Sequence, residues 1–114
     1  MSDFKLNQII SVESLIELVK LKVDRKIYYS IYSSGGDNFS LGDQVLVDSP
    51  IEVDNEDKEI YPESASRLGY KIAYSGEQFQ DVVDLAIKQK PRASAVEIIE
   101  ALNYYSIHDN FLDL

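Results

Sequence analysis

Three stretches of this chain contain residue types that could do chemistry. Ser106, His108 and Asp109 supply a hydroxyl, an imidazole and a carboxylate, the components of a hydrolase triad. A working triad lines those groups up as Ser to His to Asp, and residues this close in sequence do not reach that geometry. The chain also has no G-x-S-x-G turn to expose a nucleophile. His108, the single histidine, is therefore expected to be an ordinary residue after a helix, favoured there by the helix dipole. Gly35-Gly36 lacks the Lys-Ser or Lys-Thr of a phosphate-binding loop and the G-x-G-x-x-G spacing of a dinucleotide site, so it reads as a turn. Asp54-Asn55-Glu56-Asp57 begins like a calcium loop, but the position that must be glycine is Glu59 and the one that must be a bidentate glutamate is Ala65. With 20 acidic residues, a carboxylate pair of the glycosidase kind arises by chance and carries no information. Cysteine is absent, which removes disulfides and thiolate metal sites. No catalytic residue, metal site or cofactor is expected, and the protein is not expected to be an enzyme.

Charge and aromatic content carry more information. The net charge is −9, and residues 48–63 hold Asp48, Glu52, Asp54, Glu56, Asp57, Glu59 and Glu63 against Lys58 alone. That segment therefore contributes −6 of the −9 (seven acids, one base). Nucleic-acid binding draws on phosphate neutralisation by Lys and Arg, so a nucleic-acid ligand is not expected. A basic macromolecule is the favoured partner, because clustered carboxylates replace substrate phosphates in the groove of a nucleic-acid enzyme and steer association. The candidate contacts are Glu52, Asp54, Glu56, Asp57 and Glu59, with Tyr61 beside them as an aromatic anchor. The plain alternative for this run is a solvated loop. The chain has 8 tyrosines, and those in strands are expected to pack a ring and expose a hydroxyl, leaving some for an interface.

The elements that must position these residues follow from periodicity. A chain of 114 residues suits a single domain over 1–114. Ser11 caps a helix whose apolar residues Val12, Leu15, Ile16 and Val19 share a face. A basic connection, Lys20 to Lys26, leads into a strand over Ile27–Tyr32. Gln44–Asp48 alternates Val45 and Val47 against Leu46, which predicts a second strand ended by Pro50. Pro62 opens a short helix and Gly69 closes it; Tyr70–Tyr74 reads as a third strand. Ser75 with Gln78, and Ser94 with Glu97, form capping-box pairs ahead of two further helices, the last ending near Ile107. The expected fold is α+β, a small antiparallel three-stranded sheet covered by three to four helices. The N-terminus has no basic and apolar leader and no apolar run reaches membrane length, so a cytoplasmic protein without a membrane span is expected.

Several pieces of the second half resemble a family of small acidic bacterial domains that includes immunity proteins of contact-dependent growth inhibition systems. They are Val47-Asp48 leading to Asp54-Asn55-Glu56-Asp57, Pro62 to Gly69-Tyr70, Gln80-Asp81-Val82-Val83, Ala101-Leu102-Asn103-Tyr104-Tyr105 and Asp109-Asn110-Phe111. Ser106-Ile107-His108, between the last two pieces, departs from that pattern. The resemblance implies that the protein binds and neutralises a cognate toxin domain, often a nuclease, in the cytoplasm of the cell that makes it. The alternative is a general acidic protein-interaction module without catalytic activity.

Overall fold

A computed structural model describes residues 4–35 and 38–112. Gly36 and Asp37, part of the expected turn, lie outside the described residues, as do 1–3 and 113–114. In chain order the elements are β1 (Gln8–Ser11), α1 (Val12–Lys20), β2 (Ser30–Ser33), β3 (Gln44–Asp48), β4 (Glu52–Val53), β5 (Glu59–Ile60), α2 (Glu63–Leu68), β6 (Lys71–Ser75), α3 (Gly76–Gln89) and α4 (Ala95–His108). The α+β class and its antiparallel sheet agree with expectation, but the main sheet has four strands in the order β1-β3-β2-β6, and β4 and β5 form a separate pair.

Strand alternation assigns the two faces of the main sheet. Val45, Val47, Ile31 and Tyr74 point into the larger core with Val12, Leu15, Ile16 and Val19 of α1, Phe79 and Val83 of α3, and Ile98 and Leu102 of α4. Leu46 and Tyr32 point the other way, where Ala65 of α2, Ile51, Tyr61 and Tyr70 cover them. Side chains on successive strand residues must diverge in this way, so a sheet of this composition needs cover on both faces.

The expected N-cap serines all accept a first-turn N–H, but of the two expected capping boxes only Ser94 with Glu97 is reciprocal. Ser11 accepts from the Ser14 N–H at 3.2 Å, Ser75 from the Gln78 N–H at 3.2 Å, and Ser94 and Glu97 complete a reciprocal capping box. Gly69 ends α2 at φ 72°, a conformation that costs a Cβ-bearing residue strain. Pro62 sits at the N-cap and not inside the first turn. The strand expected over Ile27–Tyr32 begins only at Ser30, and Tyr28 is 81% exposed.

The buried tyrosines depart from expectation in a consistent way: Tyr29 just before β2, Tyr32 in β2 and Tyr74 in β6 have their hydroxyls bonded inside the protein, to Asp24, the Ser49 carbonyl and the Leu102 carbonyl. Burial pushes the Tyr32 hydroxyl up to about 12. A buried phenol needs such a partner, because leaving it unpaired costs about 1–3 kcal/mol.

Gly76 marks the closest approach between α3 and the chain entering β2. Its N–H donates to the Tyr29 carbonyl at 2.9 Å, and a Cβ there would lie 2.7 Å from that oxygen and 3.0 Å from Tyr29 Cζ. Gly76→Ala is therefore expected to cost about 1–3 kcal/mol through forced displacement. A urea melt checks this, and an unchanged midpoint would contradict the packing described.

Candidate functional site

The acidic segment is an ordered hairpin. β3 leaves the sheet at Asp48, and the Tyr32 hydroxyl holds the next turn by donating to the Ser49 carbonyl at 2.7 Å. Ile51 and Tyr61 form the feet of the hairpin, packed on Tyr32, Leu46 and Ala65. The Tyr61 ring lies 5.8 Å from that of Tyr32, and Lys71 Nζ sits 5.7 Å from the Tyr61 centroid. Beyond the feet, Glu52 faces Ile60 and Val53 faces Glu59 in antiparallel register.

Asp54 builds the tip. Its Oδ1 accepts from the Glu56 N–H at 2.8 Å and the Lys58 N–H at 2.9 Å, while its own N–H donates to the Lys58 carbonyl at 3.0 Å. Asp57 adopts φ 60°, a left-handed position that Asp tolerates better than most residues. The six residues singled out in the sequence thus come together on one arm but divide their tasks. Asp54 and Tyr61 shape and anchor it, while Glu52, Glu56, Asp57 and Glu59 are exposed on it. No ion pair or hydrogen bond engages the carboxylates of those four among the described residues.

The hairpin also exposes apolar surface. Val53 is 61% and Ile60 47% exposed, and cross-strand neighbours share a face, so each face of the arm sets one aliphatic side chain beside one carboxylate. Carboxylates around exposed aliphatic groups are suited to protein contact, where apolar area supplies affinity and charge supplies orientation and rate.

The Ser106–His108–Asp109 group forms no triad. Ser106 Oγ donates to the Asn103 carbonyl at 3.1 Å, and the exposed His108 ring lies 4.2 Å from that of Tyr104. No group of His, Asp and Glu among the described residues could hold a metal ion.

A second polar cluster carries no mark in the sequence. Asp24, inside the basic connection, is fully buried and accepts from the Tyr29 hydroxyl at 2.6 Å, Gln80 Nε2 at 2.8 Å and Arg25 Nε at 3.0 Å. Arg25 reaches on to Asp84 of α3 through two hydrogen bonds, at 2.9 and 2.8 Å. Those bonds raise the Arg25 pKa further and hold Asp84 below the ordinary carboxylate range, with burial opposing both shifts. Burial first, then Asp24, raises the Tyr29 hydroxyl pKa.

Because the folded Asp84 pKa lies below its unfolded value of about 3.9, its stabilisation is present above that pH and lost as pH falls through the folded value. Urea melts at about pH 5 and about pH 2.5 are expected to show a smaller acid loss of stability for Asp84→Asn than for the parent. An identical loss would contradict the coupling.

A family model described as domain of unknown function (DUF7716) matches residues 12–114. No curated protein and no solved structure matches the chain. No helix among the described residues is long and apolar enough to cross a membrane.

Proposed function

We propose that this chain, which belongs to the DUF7716 family, is a protein-binding domain that uses its acidic hairpin to occupy a basic surface of a partner. The observation that carries the reading is the β4–β5 arm, a formed hairpin that presents Glu52, Glu56, Asp57 and Glu59 together with one exposed aliphatic side chain on each face, Ile60 beside Glu52 and Val53 beside Glu59. A bare solvated loop would offer the charge without the fixed spacing or the aliphatic side chain on each face. Fixed spacing lowers the ordering cost of binding.

The sequence resemblance to contact-dependent growth inhibition immunity proteins supports a specific form of this proposal. The partner is then a basic toxin domain, a nuclease being the type whose phosphate-binding groove an acidic arm fills best, and the role is its neutralisation inside the producing cell. Charge complementarity supports the same partner class, since the chain is at −9 overall. A calorimetric titration with the basic domain encoded directly beside this protein tests the proposal. Saturable one-to-one binding with loss of the domain's activity supports it, and no heat at concentrations of about 100 μM overturns it. Binding without loss of activity would leave the general interaction module as the reading.

A further inference from the structure

A cavity of about 470 Å3 lies between the segment entering β2, Pro50 and the first turn of α3. Ligand cavities commonly span about 300–1,000 Å3, so this half-open one has room for a small molecule. Its floor is the network around Asp24: Tyr29 and Gln80 both line the cavity and both bond the buried carboxylate. Arg25 also lines it, but its guanidinium is spent on Asp24, Asp84 and the Val19 carbonyl. Asp24 and Asp84 lie outside the cavity lining and balance the Arg25 charge from behind, so Arg25 presents little free charge to a ligand. Two N–H groups of the first turn of α3 are likewise occupied from within, that of Gly76 by the Tyr29 carbonyl and that of Gln78 by Ser75 Oγ, which weakens the helix end as an anion site.

The groups left over have a definite chemistry. Lys26 and Glu77 line the cavity with opposite charges, and neither side chain has a hydrogen bond or ion pair among the described residues. Gln80 donates through Nε2 and keeps Oε1 as an acceptor without a partner. The Tyr28 ring and Pro50 add apolar wall. A simple anion would meet Glu77 as a like charge, and a simple cation would meet Lys26 as one. A ligand carrying both charges satisfies both sides. We infer that the cavity binds a small zwitterion of the α-amino-acid type, its ammonium towards Glu77 and Gln80 Oε1, its carboxylate towards Lys26 and its side chain against Tyr28 and Pro50. This inference goes beyond the hairpin reading and does not depend on it.

The test is a set of NMR titrations of the labelled protein with each common free α-amino acid up to about 10 mM, a range that resolves Kd near about 1 mM. At least one is expected to produce saturable shifts at Lys26–Ser30 and Gly76–Gln80. Its amide and its N-acetyl derivative, each lacking one charge, are expected to bind at least about tenfold more weakly. Lys26→Met and Glu77→Gln should each weaken binding by about tenfold without changing the melting midpoint. The inference is overturned if no amino acid gives saturable shifts, if either derivative binds as well as its parent, or if binding survives both substitutions. Partner binding by the hairpin would be untouched by any of these results, so failure here and failure of the proposed function remain distinguishable.

Discussion

Asp24→Ala is expected to lower stability by about 3 kcal/mol and the melting midpoint by roughly 10 °C. The carboxylate is fully buried and three side chains donate to it, from Tyr29, Gln80 and Arg25. Truncation leaves those donors facing a void, and unsatisfied buried donors cost more than the net worth of the bonds they made. The loss spreads across the fold, since Asp24 joins the segment after α1 to α3 through Gln80, and Arg25 repeats the link through Asp84. Asp24→Asn keeps the shape but turns one acceptor into a donor, so a smaller loss of about 1–2 kcal/mol is expected. Thermal and urea melts of both variants check the order, and a midpoint for Asp24→Ala within about 2 °C of the parent would contradict the role assigned to the network.

The combined reversal Glu56→Lys, Asp57→Lys and Glu59→Lys is expected to weaken binding to a basic partner by at least about 100-fold. Each replacement removes an attraction and adds a repulsion, and all three positions are exposed on the formed hairpin. Their side chains make no hydrogen bonds or ion pairs within the described residues, so the loss of folding stability should come mainly from Lys at the left-handed Asp57 position and stay at about 1–2 kcal/mol. Asp54→Ala is a different kind of variant. It removes the acceptor for the Glu56 and Lys58 N–H groups and should loosen the tip, so its effect on binding comes through geometry. Parent-like affinity in the triple variant would remove the hairpin from the interface.

Much of the fold was legible because its amphipathic elements bury a face. Val12, Leu15, Ile16 and Val19 in α1, and Phe79, Val82, Val83 and Ala86 in α3, repeat at helical spacing and all are buried. Val45 and Val47 against Leu46 marked β3 and both of its faces. β1 was missed because Gln8–Ser11 is only 4 residues long and has no alternation of its own; it becomes a strand by pairing with β3. β4 and β5 were missed for a related reason: each has 2 residues and both are exposed, so no burial pattern marks them.

The candidate arm was legible as charge but not as geometry. Seven acids between 48 and 63 could be counted, whereas the division between Asp54 as builder and Glu56 as displayed charge depends on backbone hydrogen bonds that spacing does not encode. The Asp24 cluster was hidden by its surroundings, because a lone acid among Lys20, Lys22, Arg25 and Lys26 reads as part of a solvated charge run. Its partners Gln80 and Asp84 lie 56 and 59 residues away from Asp24 and Arg25, and only tertiary folding brings them together.

Binding of a basic partner by the acidic arm must show in the affinity for that partner as a function of salt. Raising ionic strength from about 0.05 to about 0.5 M shortens the screening length several-fold, and affinity is expected to fall at least about tenfold, mostly through slower association. An affinity that stays constant across that range would contradict the account, because carboxylates at the centre of an interface cannot be indifferent to screening of the charges they meet.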